Sequence, residues 1–146
     1  MWDVKIYEGP VDLPIGQVIA SVRGNPELNE AGCIALYLGI VRGVSEDGRE
    51  VESFLVEGDR EEVEKLLRHL AARLEGRWGV IDVRIHLVMG RLSVGDPILL
   101  VVVAGEYRED VLQAVKDAVD AIKSLKVLRK TEVLRQGENK IKLICV

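Results

Sequence analysis

Aromatic residues are scarce in this chain: they make up 4% of its 146 residues, although 48% of the residues are hydrophobic. The core must therefore consist mainly of Val, Leu, Ile and Ala. With only two cysteines a disulfide scaffold is excluded, and the apolar content excludes a disordered chain. No linker or repeat interrupts the sequence, so we expect a single domain spanning residues 1–146.

Long apolar runs are also missing. The longest, Ile98 to Gly105, is too short to cross a bilayer. No N-terminal segment combines a basic start with an apolar stretch, which is the pattern of a secretion signal. We therefore expect a soluble, cytoplasmic protein without a membrane partner.

Positive charge is in deficit over the whole chain, whose formal net charge is −4. This balance argues against bulk nucleic-acid binding, which requires many Lys and Arg side chains to neutralise phosphates. The average hides an asymmetry: residues 121–146 carry a net charge of +5, and the preceding residues carry −9. The split predicts an anion site near the C-terminus, although a solvated basic strand pair also fits it.

Two long helices are indicated by apolar residues at helical spacing, over residues 60–77 and 108–125. The first includes Trp78 at the end of its apolar face, and Asp59 precedes Glu62 by three residues, as in a capping box. A shorter helix or turn is expected over residues 14–22.

Apolar runs between the helices predict a first strand over residues 2–7 and three strand pairs. We expect these pairs to be 33–42 with 51–57, 80–88 with 97–105, and 127–134 with 140–146. The corresponding turns are residues 46–48, 93–96 and 136–139. Strand pairs interleaved with long helices predict an α+β fold, with helices packed on a largely antiparallel sheet.

Most common catalytic signatures are absent: the sequence has no P-loop, no dinucleotide-binding glycine motif and no nucleophile-elbow motif. His69 is expected on the polar face of the first long helix. His86 is expected in a strand where no further residues complete a three-ligand metal site.

Four basic residues remain as candidates for an anion site. Arg42 ends an apolar strand, and Arg108 lies at a strand-to-helix corner, where free N–H groups and the helix dipole favour anions. Lys123 lies at the edge of the apolar face of the second long helix, and Lys130 follows seven residues later. Each residue taken alone also fits a surface ion pair or a side chain that reaches past the core to solvent.

Four segments containing these positions resemble the large, catalytic subunit of molybdopterin synthase. The resemblance covers roughly residues 32–138 and is carried by AGCIALYLGIVRG, RWGVIDVRIHLVMGRLSVGDPILLVVVAGEYRED, DAIKSLK and VLRKTE. The spacing of seven between Lys123 and Lys130 agrees with the family. The resemblance implies an α/β-hammerhead-like fold.

The resemblance also implies a sulfurtransferase of molybdenum cofactor biosynthesis, which inserts two sulfurs into cyclic pyranopterin monophosphate to form a dithiolene. The implied donor is a ubiquitin-like small subunit with a C-terminal Gly-Gly thiocarboxylate, attached to a homodimer of large subunits. Lys123 and Lys130 are then the catalytic residues, and Arg42, Arg108 and Tyr107 bind substrate. No metal or organic cofactor is required.

Several positions depart from the family pattern. Tyr107 stands where a histidine is usual, and Gly58 stands where a histidine is common. Leu87-Val88 replace a His-Arg pair, and Val127-Leu128-Arg129 replace a stretch that contains Trp. These departures leave an alternative open: a diverged relative that binds an anionic ligand or a ubiquitin-like tail without turnover. In a third, generic sensing-module hypothesis, the lysine spacing is a coincidence.

Overall fold

The computed structural model describes residues 1–135 in full and residues 141–145 by their backbone. Within these residues, strands and helices alternate along much of the chain. The strands are β1 (Trp2–Glu8), β2 (Cys33–Ile40), β3 (Val51–Glu57), β4 (Val80–Ser93), β5 (Pro97–Gly105), β6 (Arg129–Arg135) and β7 (Ile141–Cys145). The helices are α1 (Ile15–Arg23), α2 (Arg60–Glu75) and α3 (Arg108–Lys123), with a 3₁₀ helix at Pro26–Glu30.

The three predicted helical segments are confirmed with small changes at their ends. At the start of α2 the Asp59 carboxylate accepts a hydrogen bond from the Glu62 N–H at 3.2 Å, which satisfies one of the free donors of the first turn. The expectation for Trp78 is wrong: α2 ends at Glu75, and Trp78 is 74% exposed beyond it. In the part of the chain described, no helix is long and apolar enough to span a membrane.

The sheet confirms the α+β class. Its antiparallel path runs β2-β5-β4-β3-β6-β7, and β1 is added in parallel to β4. Helices α2 and α3 pack against this sheet, α2 on β1 and β4 and α3 mainly on β5 and β2. The apolar stripes of the helices thereby cover the central strands β4 and β5, most of whose residues are buried.

One predicted strand pair is wrong. β2 pairs with β5 and β3 pairs with β4 and β6, so β2 and β3 are not neighbours in the sheet. The chain between them forms only a single bridge, Val44 with Glu50, because the backbone of Val41 is bonded instead to Gly95 and Asp96. The pairs β4–β5 and β6–β7 are confirmed, and the predicted turn at 136–139 lies outside the described residues.

Strand β4 joins the two halves of the sheet. Its first part pairs with β5 and β1, and its last four residues pair with β3. The change of partner occurs at Gly90, whose φ of +116° is unfavourable for other residues. A β-carbon there would also lie 3.1 Å from the carbonyl oxygen of Gly9, so the backbone conformation and the close backbone contact both favour glycine at this position.

A buried ion pair lies under helix α1. Asp82 is fully buried and accepts hydrogen bonds from Arg84 Nε at 2.6 Å and from Asn25 Nδ2 at 3.0 Å. The Arg84 guanidinium also donates to Ser21 Oγ at 2.9 Å, which ties β4 to α1. Because both charges are removed from water, the pair stabilises the fold only while it is complete.

Replacing Arg84 by Met is therefore expected to lower the free energy of unfolding by about 3–5 kcal/mol, since the Asp82 carboxylate is left buried with Asn25 as its remaining side-chain donor. Urea denaturation measures this loss. The control is Lys116→Met, which breaks an exposed ion pair with Asp120 and is expected to shift the midpoint little. Equal shifts in the two variants would contradict the assignment.

Candidate active site

A pocket of about 600 Å³ lies where the end of β2, the C-terminus of α3 and the faces of β3 and β6 meet. Its floor includes Leu87, Leu99, Ile122 and Leu128, which are at most 5% exposed. Charges held at the rim of an apolar floor interact more strongly than charges in open solvent. The pocket is thus suited to bind a charged ligand that also has an apolar part.

Three of the predicted site residues line this pocket: Arg42, Lys123 and Lys130. Each comes from a different part of the fold, Arg42 from the end of β2, Lys123 from the last turn of α3 and Lys130 from β6. The spacing of seven brings the two lysines together because the chain reverses between α3 and β6.

The two lysines are linked directly. Lys130 Nζ donates a hydrogen bond to the backbone oxygen of Lys123 at 2.6 Å. This carbonyl belongs to the last turn of α3, where oxygens lack helical partners and the helix dipole is negative. The C-terminus of α3 therefore holds the Lys130 ammonium at the pocket, next to Lys123.

Arg42 is positioned through its backbone neighbours. The Val41 N–H donates to Asp96 O at 3.0 Å, and the Gly95 N–H donates back to Val41 O at 2.9 Å. On the other side, the Val51 N–H donates to Gly43 O at 3.0 Å. The residue is thus fixed between the predicted 93–96 turn and the start of β3, while its side chain is exposed.

The loop that follows Arg42 is a compact turn built around Ser45, which is 5% exposed. The Ser45 hydroxyl is hydrogen-bonded to the Asp47 carboxylate and accepts from the Arg49 N–H at 3.0 Å. These contacts lower the pKa of Asp47, first through the Ser45 hydrogen bond. Glu46 lies at the tip of this turn and lines the pocket.

Two carboxylates and two aromatic rings complete the lining, and the sequence analysis missed all four: Glu46, Glu132, Tyr37 and Phe54. Glu132 is half-buried, and burial raises its pKa, with a further contribution from the Glu46 charge. A signal for it was present, since Glu132 is two residues after Lys130 in a strand and must share its face. Phe54 and Tyr37 could not be placed without the sheet order.

Arg108 and Tyr107 do not line this pocket. They begin helix α3, whereas Lys123 ends it, which separates the two positions by about 22 Å along the helix axis. The Tyr107 ring stacks on Trp78 with centroids 5.8 Å apart, and Arg108 pairs with Glu109 at 3.4 Å on the surface. Within one chain, Arg108 is therefore separated from the pocket that Arg42 and the two lysines line.

One departure from the expected sequence pattern has a steric cause. A β-carbon at Gly58 would overlap the carbonyl oxygen of Val127. The close packing of these two backbones leaves no room for a side chain at residue 58.

The two histidines lie elsewhere. His69 is exposed on α2 as predicted, and His86 is 4% exposed and hydrogen-bonded through Nδ1 to the Tyr7 hydroxyl at 2.9 Å. Burial lowers the pKa of His86. Over residues 1–135, no cluster of three or more His, Cys, Asp or Glu residues could hold a metal ion.

The family model and the most similar curated relatives identify the same protein family. The sequence model of the MoaE protein family matches residues 10–125. The chain is 30% identical to the molybdopterin synthase catalytic subunit of Pyrococcus abyssi over 135 residues, covering 92% of this chain and 88% of the relative. It is 31% identical to the corresponding subunit of Ralstonia nicotianae, covering 92% and 73%.

Solved structures share the fold. A molybdopterin biosynthesis MoaE protein from Burkholderia ambifaria superposes with a TM-score of 0.75 at 24% identity, covering 99% of this chain and 90% of that one. A chain in the complex of subunits 1 and 2 of the molybdopterin-converting factor from Helicobacter pylori gives a TM-score of 0.69 at 16% identity, covering 94% and 87%.

Proposed function

The chain belongs to the MoaE family and is a sulfur-transferring catalytic subunit of molybdopterin synthase, and we propose that the pocket formed by Arg42, Lys123 and Lys130 is its active site. The observation that carries this proposal is the convergence of these three cations, from separate elements, on one pocket with an apolar floor. The proposed substrate is cyclic pyranopterin monophosphate, and the proposed product carries a dithiolene.

The proposed sulfur donor is a ubiquitin-like small subunit with a C-terminal thiocarboxylate. The complex of two subunits formed by the Helicobacter pylori relative supports a small-subunit partner. Both the donor tail and the substrate phosphate are anionic, so they repel each other as they meet. Fixed cations at the pocket offset this repulsion without having to reorganise during the reaction.

The cations have distinct proposed roles. Lys123, exposed at the end of α3, binds the thiocarboxylate of the small subunit. Lys130 is held beside it by the Lys123 carbonyl and moves protons as the sulfur attacks and the cyclic phosphate opens. Arg42, between its two backbone anchors, binds the substrate phosphate.

Arg108 can reach such a site only from a second copy of the chain. β2 is an edge strand, and its Leu36, Leu38 and Ile40 are 43%, 37% and 52% exposed. Its first residue pairs with Gly105, close to Tyr107 and Arg108, and its last residue lies at the pocket. Two copies meeting antiparallel along this edge would place Tyr107 and Arg108 of each copy near the other's pocket.

The lengths involved agree with this arrangement. The eight residues of β2 span about 23 Å, and α3 separates Arg108 from Lys123 by about 22 Å. When two β2 strands pair antiparallel, the start of each strand therefore lies beside the end of the other. This places the N-terminal end of α3 of one copy close to the pocket of the other. We propose a homodimer with two shared sites, each using Arg42 and the lysines of one copy with Arg108 and Tyr107 of the other.

Replacing Lys123 or Lys130 by Ala is expected to lower turnover at least about 100-fold, because each removes a cation or proton carrier from the reacting groups. Dithiolene formation from cyclic pyranopterin monophosphate and a thiocarboxylated small subunit is the measurement. The matched control is Lys116→Ala, an exposed α3 lysine paired with Asp120 at 2.7 Å, which is expected to retain activity. Retained activity in both lysine variants would refute the assignment, and no turnover by the unaltered chain would favour a diverged binding protein.

A mixing experiment tests the shared site. Arg42→Ala and Arg108→Ala are each expected to be nearly inactive alone. Mixed in equal amounts with exchange of copies, they are expected to recover about a quarter of full activity, since half the dimers are mixed and each mixed dimer has one intact site. Failure to recover activity, with dimer exchange verified by mass spectrometry, would place Arg108 outside the site.

A further inference from the structure

Two adjacent carboxylates form the tip of the turn that follows β2. The Gly48 N–H donates a hydrogen bond to the Ser45 carbonyl oxygen at 3.0 Å, which closes a β-turn with Glu46 and Asp47 at its centre. At Gly48 φ is +85°, which is the conformation that such a turn requires directly after its central residues. The backbone therefore fixes the position of both acidic residues.

The two carboxylates have different surroundings. Asp47 is hydrogen-bonded to the Ser45 hydroxyl and paired with Arg49 Nε at 3.0 Å. Glu46 is exposed and lines the pocket, and in the part of the chain that the structure describes its carboxylate has neither a hydrogen bond nor an ion pair. The turn thus offsets one negative charge and leaves the other at the rim of the pocket.

Glu46 shares this rim with Arg42, which also lines the pocket. Because the two residues are four positions apart, their α-carbons are separated by at most about 14 Å, and the turn between them makes the distance shorter. Both charges act on Glu132: burial is the main cause of its raised pKa, the Glu46 charge raises it further, and the Arg42 charge opposes the increase. A cation and an unpaired carboxylate therefore act on the same space.

A carboxylate at the rim of an anion site weakens the binding of every anion, but not to the same extent. A single phosphate group contacts the cations of the pocket, whereas a di- or triphosphate carries additional negative charge beyond them. Coulomb repulsion by the rim carboxylate grows with that charge and with its proximity. Repulsion of the wrong ligand is a general route to specificity, even where it reduces the affinity for the right one.

We propose that Glu46 is a specificity-determining residue, which biases the pocket towards ligands with a single phosphate group and against di- and triphosphates. This inference rests on the proposed function, in which Arg42 binds the substrate phosphate, and it adds the class of ligand that the site disfavours. Nucleoside di- and triphosphates belong to this class, because they combine a flat heterocycle with phosphate groups and would compete with the proposed substrate. Asp47 has a structural role instead, since its charge is offset by Arg49.

The first test is Glu46→Gln, which removes the charge and keeps the size of the side chain. Binding of inorganic phosphate, pyrophosphate and tripolyphosphate is measured by calorimetry in the absence of divalent cations. The dissociation constant of tripolyphosphate is expected to fall about tenfold in the variant, and that of phosphate less than about threefold, because the repulsion removed grows with ligand charge. Pyrophosphate is expected to give an intermediate change.

The matched control is Glu50→Gln, which makes the same change in net charge within the same loop. Glu50 does not line the pocket and pairs with Arg135 at 3.8 Å on the surface. This variant is expected to leave the ratio of the tripolyphosphate and phosphate dissociation constants unchanged. The effect of Glu46→Gln on that ratio is expected to shrink as salt is added, since electrostatic repulsion at an exposed rim is screened.

A second test uses turnover. Tripolyphosphate is expected to inhibit dithiolene formation about tenfold more strongly in Glu46→Gln than in the unaltered protein, because the same repulsion is missing when it competes with the substrate. Glu50→Gln is expected to be inhibited like the unaltered protein. Thermal unfolding followed by circular dichroism establishes that each variant is folded.

Three results would overturn the role of Glu46. The first is an unchanged ratio of dissociation constants in folded Glu46→Gln, and the second is an equal change in Glu50→Gln. The third is a changed ratio that persists at high salt, which would assign the effect to the shape of the turn instead of its charge. Failure of the proposed function looks different: unaltered protein then makes no dithiolene, and the anion-binding ratios still decide whether Glu46 selects among phosphates.

Discussion

The bend of strand β4 at Gly90 is the constraint on which the site depends. Before the bend β4 pairs with β5 and β1, and after it β4 pairs with β3. The pocket lies between the β2–β5 side and the β3–β6 side of the sheet, and residues of all four strands line it. A side chain at residue 90 would adopt an unfavourable φ and approach the carbonyl oxygen of Gly9, so glycine favours this change of strand partner.

The same bend explains which parts of the structure followed from the sequence. The helices and the pairs β4–β5 and β6–β7 are encoded locally, by apolar spacing and by turn residues between adjacent segments. The pairing of β2 with β3 looked equally local and is wrong, because Val41 is bonded to the 93–96 turn and the chain then crosses to the other half of the sheet. Competition between strand partners that are distant in sequence leaves no periodic pattern of apolar residues from which the pairing could be predicted.

The candidate site, like the fold, was predicted only in part from the sequence. Lys123 and Lys130 are close because a short reversal joins α3 to β6, and the family resemblance, with which their spacing agrees, had assigned both to one site. Arg108 looked equivalent as a cation at a helix start, yet a rigid helix of 16 residues holds it away from Lys123. Phe54 and Glu132 are adjacent only through the β3–β6 register, so residue types alone could not bring them together.

The uneven charge of the chain now has a physical role. Arg42 comes from the acidic first part of the sequence, which carries −9, and the two lysines come from the basic last part, which carries +5. At the proposed site, an anionic substrate would be attracted to the place where these cations meet. Because the attraction acts through a partly apolar pocket, it is screened less than that of exposed charges. The overall charge of −4 is therefore compatible with the proposed anion site.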